Sequence, residues 1–176
     1  DRIKEKIALI RLRHGDTEAF GFLYDEYAER IYRYVYFRTS DASSAEDITQ
    51  EIFLQTWEYI NKKGTIDHLQ SFLYRVAYNK VVDFYRLKER QASLIGDLEE
   101  AAVTRHDENK SDLEMHFLMS RIRQLKVEYQ DVLVLRYIEG LGAKEIAQIM
   151  SKEVNAVRVT LHRARVALKG LITELK

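Results

Sequence analysis

No cysteine and no proline occur among the 176 residues, and only seven are glycine. Without cysteine, disulfides and thiolate metal sites are excluded, which suits a reducing cytoplasm. Without proline, and with so little glycine, few residues are left that break a helix, so the chain reads as all-α. Long hydrophobic runs are missing too. Hydrophobic residues make up 46% of the chain, enough for a core, yet no stretch approaches the roughly 20 apolar residues of a membrane span. The opening DRIKEKIALIRLRHGD is charged and interrupted, unlike a signal peptide.

Net charge is also absent, which over a whole chain argues against a nucleic-acid partner. The charge is segregated, however. Residues 1–92 carry 15 basic and 15 acidic side chains, residues 93–112 carry 2 and 6, and residues 113–176 carry 11 and 7. A balanced head, an acidic middle and a basic tail predict two small helical domains, 1–92 and 113–176, joined by a flexible acidic linker, 93–112.

Helical periodicity starts near Ile3, breaks at His14-Gly15-Asp16, and continues to about Arg90 with polar interruptions at Thr39 to Ser44 and Asn61 to Asp67. Asp16 or Thr17 is placed to cap the helix that follows the first break. Residues 93–112 lose the periodicity, and a second helical block begins near Leu113, with Gly140 and Gly142 marking a turn inside it. No internal repeat is present.

Within that block, AKEIAQIMSKEVNAVRVTLHRARVAL (143–168) reads as a short helix to Met150, a polar turn from Ser151 to Glu153, and a longer helix. On the longer helix Val154, Val157, Leu161, Ala164 and Leu168 share one face at spacings of three and four. Asn155, Arg158, Val159 and His162 point the other way, flanked by Arg163 and Arg165. This is the sequence form of a helix-turn-helix, whose second helix enters the major groove. There arginine bonds guanine, asparagine bonds adenine, and flanking arginines hold phosphates. An ordinary amphipathic pair with a solvated basic face fits the same pattern. Ser151 and Lys152 stand where such turns often have glycine and a small apolar residue.

AEDITQEIFLQTWEY (45–59) has four acidic residues and no basic one. Ile48, Ile52 and Phe53 are expected to face inward with Leu54 and Trp57 beside them, and Asp47, Gln50, Glu51 and Glu58 outward. Surface helices usually mix both signs, so a face of one sign suits a complementary basic partner.

SFLYRVAYNKVVDFYRLKER (71–90) puts Leu73, Val76, Ala77, Phe84 and Leu87 on a buried face and Arg75, Asn79, Arg86 and Arg90 roughly opposite. Tyr74, Tyr78 and Tyr85 line up between, with Lys88 nearby. Aromatic rings beside cations make a surface for single-stranded nucleic acid, where each stacked base contributes about 1–3 kcal/mol. Each tyrosine has an equally simple role packing against the preceding helices.

Taken in order, these segments resemble bacterial RNA polymerase sigma factors of the extracytoplasmic-function group, from about residue 15 to residue 170. AEDITQEIFLQTW is similar to the family's polymerase-binding helix, Asp-x-x-Gln-Glu-x-Phe. GDTEAFGFLYDEYAERIYRYVYFR resembles its first conserved helix. The stretch from Ser71 resembles its promoter-melting helix, with Leu-Tyr-Arg-x-Ala-x-Asn at its core, and LGAKEIAQIM with VRVTLHRARVAL resembles its helix-turn-helix. Four motifs in register are specific where one alone is weak.

The resemblance implies that Asp47, Gln50, Glu51 and Phe53 contact core RNA polymerase or support that contact, with Phe53 and Trp57 better read as core. It implies that Phe72, Arg75, Tyr78, Asn79 and Arg86, with the loop from Lys62 to Gln70, take the melted minus-ten promoter strand, one base being flipped out. It implies that Asn155, Arg158, Val159, His162, Arg163 and Arg165 read the minus-thirty-five element as duplex. Phe72 stands where the family usually has tryptophan, and Lys80 where an aliphatic residue is usual. The family also implies an anti-sigma protein as a partner.

None of His14, His68, His106, His116 and His162 has metal-ligand spacing, and no phosphate-cradling glycine loop is present. No cofactor, no metal, no enzymatic activity and no membrane insertion are expected, and the place of action is the cytoplasm. Two other readings remain at this point. A stand-alone helix-turn-helix regulator would need a dimer and a palindromic site and leaves the acidic helix unused. A decoy for an anti-sigma protein would not bind DNA.

Overall fold

The computed structural model describes residues 2–62, 64–95 and 110–173, and among them every regular element is helical. The contacts divide the chain into two compact units, residues 1–103 and 104–176. In the first lie α1 (Arg2–Arg13), α2 (Glu18–Thr39), α3 (Ala42–Asn61) and α4 (Leu69–Ile95). In the second lie α5 (Lys110–Arg123), α6 (Val127–Leu133) running into a π-helical turn (Val134–Ile138), α7 (Ala143–Met150) and α8 (Val154–Thr173). The expected linker lies mostly outside the described residues; 93–95 complete α4 and 110–112 open α5.

Local chemistry sets the helix ends. At the first break Gly15 takes φ +88°, a left-handed conformation that a side chain disfavours. Arg11 Nε then donates to Asp16 Oδ2 at 2.7 Å, and Asp16 Oδ1 accepts from the Glu18 N–H at 3.2 Å. Ser40, also left-handed, ends α2 by donating its N–H to Tyr36 O at 2.9 Å. Asp41 starts α3, its carboxylate accepting from the Ser44 N–H at 2.8 Å. Hydrogen bonds from the Ser44 side chain and backbone hold that carboxyl below the ordinary aspartate range.

The core of the first unit forms where α2, α3 and α4 meet: Leu23, Ile31, Val35, Ile52, Leu73 and Ala77 are all buried. Thr49 and Thr56 also face inward, and their hydroxyls donate to the carbonyls of Ala45 and Ile52, each at 2.7 Å. Two polar side chains thus enter the core with their hydrogen bonds made within their own helix. α1 is tied on by Leu9 and Leu12 and by Tyr27, whose hydroxyl donates to Glu5 at 2.7 Å. Burial and the neighbouring Glu5 carboxylate push the Tyr27 phenol upward.

Two parts of the expected arrangement are corrected. Leu87, placed on the buried face of α4, is 56% exposed, and Phe84 is only half-buried. α4 has 27 residues, a rod of about 40 Å, and it outruns the helices it packs on, so residues 85–91 are all exposed. Leu54 of α3, expected beside the core, is 59% exposed. In the second unit Val157 and Ala164 of α8 are fully buried, with Val154, Leu161 and Leu168 half-buried around them.

Candidate polymerase-docking and nucleic-acid surfaces

The acidic face of α3 is built from behind. Phe53 is buried, its ring 4.7 Å from that of Tyr24 and 6.4 Å from that of Phe20, while half-buried Trp57 lies edge-on to Phe20 at 5.0 Å. These rings fix which way the helix faces, so Phe53 supports the surface from the core. Asp47, Gln50 and Glu51 are exposed on the outer side. Glu58 pairs with Lys62 one turn on, at 3.9 Å. Glu51 accepts from Lys80 Nζ of α4 at 2.7 Å. Lys80, which breaks the apolar pattern of α4 in the sequence, therefore reaches out of the interface to the acidic helix.

On α4 the exposed stripe of Arg75, Asn79 and Arg86 is present as the spacing predicts. Arg86 lies 3.5 Å from Asp83, an exposed i,i+3 pair. Of the three tyrosines, Tyr74 is fully buried, edge-on to Tyr34 at 5.5 Å, and belongs to the core. Tyr78 is half-buried. Tyr85 is exposed along its ring, with its hydroxyl donating to Arg38 O of α2.

Phe72 opens the stripe. Its ring is 4.9 Å from that of Tyr59 on α3, and the Arg75 guanidinium lies 5.4 Å from its centroid. Tyr59 also carries the loop between α3 and α4, its hydroxyl donating to Thr65 O at 3.4 Å. Gly64 lies against its ring, where a Cβ would fall 2.3 Å from Cε1. Gly64 lies in the loop from Lys62 to Gln70 that the resemblance implicates, but Tyr59 is not a site candidate from the sequence, because its pairing with Gly64 depends on how the loop folds back. The aromatic face at the head of α4 is thus a short cluster of Tyr59, Phe72 and Arg75.

In the second unit the turn between α7 and α8 has the expected limits. Gly142 opens α7, its N–H donating to Glu145 Oε2 at 2.7 Å, and Ser151 takes the left-handed conformation that a glycine would take more easily. Lys152 of the turn pairs with Glu128 of α6, which also accepts from the Thr160 hydroxyl at 3.5 Å. Lys152 is accommodated as an anchor of the turn, and Glu128, its partner, was not legible from local pattern. Asn155, Arg158, Val159, His162, Arg163 and Arg165 are all exposed on α8. Arg158 Nη1 donates to Asn155 Oδ1 at 3.3 Å, so these two form a connected polar patch near the N-terminus of the helix. His162 and Arg165 instead border an apolar groove of about 630 Å³ lined also by Tyr137, Ile138 and Val166. The six residues therefore share one helix but are drawn to different surroundings. Among the described residues no cluster of metal-ligating side chains occurs.

Comparison with known proteins fits this layout. Residues 23–91 match the family model for Sigma-70 region 2, and residues 118–168 match that for Sigma-70 region 4. The chain is 30% identical to the extracytoplasmic-function sigma factor SigM of Bacillus subtilis, over 85% of this chain and 92% of that protein. It is 29% identical to SigW of the same organism over 98% of both chains. It is 30% identical to BldN of Streptomyces coelicolor over 93% of this chain and 64% of that longer protein. In fold it resembles the sigma factor RpoE of Bartonella quintana, solved with the anti-sigma factor NepR, with TM-score 0.80, 16% identity and coverage of 89% and 98%. It also resembles CnrH, solved with the cytosolic domain of CnrY, with TM-score 0.71, 21% identity and coverage of 97% and 98%. The chain belongs to the extracytoplasmic-function group of RNA polymerase sigma factors, which bind core polymerase and direct promoter recognition and transcription initiation.

Proposed function

We propose that the two units divide the work of initiation. Residues 1–92 dock on core polymerase through Asp47, Gln50 and Glu51, with Phe53 holding α3 from behind. The same unit captures the melted minus-ten strand on Phe72, Arg75, Tyr78, Asn79 and Arg86. Residues 113–176 read the minus-thirty-five duplex through α8. Asn155 and Arg158 are set for base edges, Val159 for an apolar contact, and His162, Arg163 and Arg165 for the flanks and phosphates. Tethering two modest contacts through one chain raises their joint affinity by effective concentration.

The observation that carries this reading is in the first unit. An outward face of one charge sign on α3 adjoins a stripe of cations, amide and aromatic ring on α4, and both rest on one core. An acidic face suits a basic protein surface, and the aromatic-basic stripe suits unpaired bases. Base capture and duplex reading need no bond-making by the protein, so the role is that of an initiation factor without an enzymatic activity or a cofactor of its own. The place of action is the cytoplasm, where polymerase is; no helix among the described residues is long and apolar enough to cross a membrane. An anti-sigma protein is a further partner, as the fold relatives solved in complex with such proteins suggest by analogy.

The test is binding to purified bacterial core polymerase by the full chain and by its Asp47→Ala, Glu51→Ala double variant. Tight binding lost in the variant supports the assignment. Equal binding by both moves the docking face away from α3.

A further inference from the structure

The arc of α4 that faces its neighbours runs through Leu73, Val76, Ala77, Lys80, Val81 and Phe84, and Lys80 is its one charged member. The Lys80 side chain is 32% exposed, so packing covers most of its stem while its ammonium emerges at the edge of the interface. There it meets Glu51 Oε2 at 2.7 Å. Glu51 itself stays 56% exposed. Residues 45–59 contain no cation, so the positive charge beside Glu51 is supplied by a different helix and held there by the α3–α4 packing.

We propose that Lys80 tunes polymerase docking by competing with the polymerase's basic surface for Glu51, keeping the affinity below what the acidic helix alone would give. The inference rests on the assignment of Glu51 to the docking face. An incoming arginine or lysine finds one oxygen of Glu51 already occupied by the Lys80 ammonium and must displace it to pair there. Because the Lys80 stem is packed, little rotamer freedom remains to be lost in holding the pair. The pair is open to water, so its influence is a factor of a few in affinity. A position that interrupts an apolar pattern thereby sets the strength of a contact made by the neighbouring helix.

The test uses the full chain and purified core polymerase, with helix content and Tm recorded for every variant. Lys80→Met keeps the stem and removes the charge, and it is expected to bind about threefold tighter. Lys80→Gln, which keeps a hydrogen-bonding group without the charge, should tighten binding in the same direction and serves if the first variant folds poorly. Lys80→Arg should match the parent, and Glu51→Gln should bind more weakly. In the Glu51→Gln background Lys80→Met should have no effect. If Glu51→Gln weakens binding while both uncharged Lys80 variants leave it unchanged or weaker, the competition is overturned and the docking face stands. Tightening that persists without the Glu51 charge also overturns it. If Glu51→Gln binds like the parent, Glu51 is not on the docking face and both ideas fall.

Discussion

Gly64 lies against the ring of Tyr59 so closely that a Cβ at position 64 would fall 2.3 Å from Cε1 and 2.6 Å from Cζ. The same ring packs against Phe72 at a tilt of 34°, centroids 4.9 Å apart. The loop before α4 is therefore positioned by an aromatic ring of α3, and that ring is shared with the first residue of the candidate minus-ten surface.

Gly64→Ala should force Tyr59 to swing and break its contact with Phe72. Overpacking of this kind costs about 1–3 kcal/mol. In a unit of this size each kcal/mol lowers Tm by roughly 4–8 °C. In a Tyr59→Leu background the extra cost of Gly64→Ala should largely vanish, which a thermal double-mutant cycle measures. Equal costs in both backgrounds would show that the clash does not govern the loop.

Asp41 gives a pH-dependent counterpart. Its carboxyl is held below the ordinary 3.8 by the hydrogen bonds from Ser44. A depressed carboxylate contributes stability that is fully present above its unfolded-state value and fades as pH falls through the folded one. Asp41→Ala should therefore cost about 1 kcal/mol near neutral pH, with the difference from the parent shrinking below about pH 4. Asp41→Asn should keep most of the cap at neutral pH while removing the acid-side dependence. Urea unfolding at pH 7 and at pH 3 distinguishes the three proteins.

Much of this fold was legible because helix period and turn chemistry are local. The α7 and α8 limits, the outward Asp47, Gln50 and Glu51, and the exposed Arg75, Asn79 and Arg86 follow from spacing alone. What spacing does not contain is the length of the neighbours. A helical wheel treats Leu73 and Leu87 as equivalent, whereas the first is fully buried and the second 56% exposed. It also treats Tyr74, Tyr78 and Tyr85 as one row, although the first is fully buried against Tyr34 of α2 and the third donates its hydroxyl to Arg38 O of the same helix. Partners far apart in sequence, Lys80 with Glu51 and Lys152 with Glu128, needed the packing before their pairing was visible.

The contrast between the two leucines is directly measurable. Leu73→Ala removes a fully buried side chain and should cost about 2–5 kcal/mol. Leu87→Ala, on the free end of α4, should stay within about 0.5 kcal/mol of the parent. Denaturant unfolding of both variants checks this. A large loss at Leu87 would mean that the end of α4 is covered in solution.

On α8 the residues assigned to DNA should separate by the kind of effect they have, not only by its size. Arg158 lies near the N-terminus of α8, is joined to Asn155 at 3.3 Å, and is the proposed base-edge contact. Arg158→Ala should cost about 1–3 kcal/mol of duplex binding and relax preference at one position of the minus-thirty-five element. Arg163, exposed further along the helix, is the proposed phosphate contact. Arg163→Ala should weaken binding to all sequences alike and lower the salt dependence by about one unit of slope. The comparison is made on the holoenzyme, with duplex probes carrying single substitutions across the element at several salt concentrations. If Arg158→Ala instead weakens every probe equally, that arginine holds a phosphate, and sequence reading at this end of α8 falls to Asn155 and Val159.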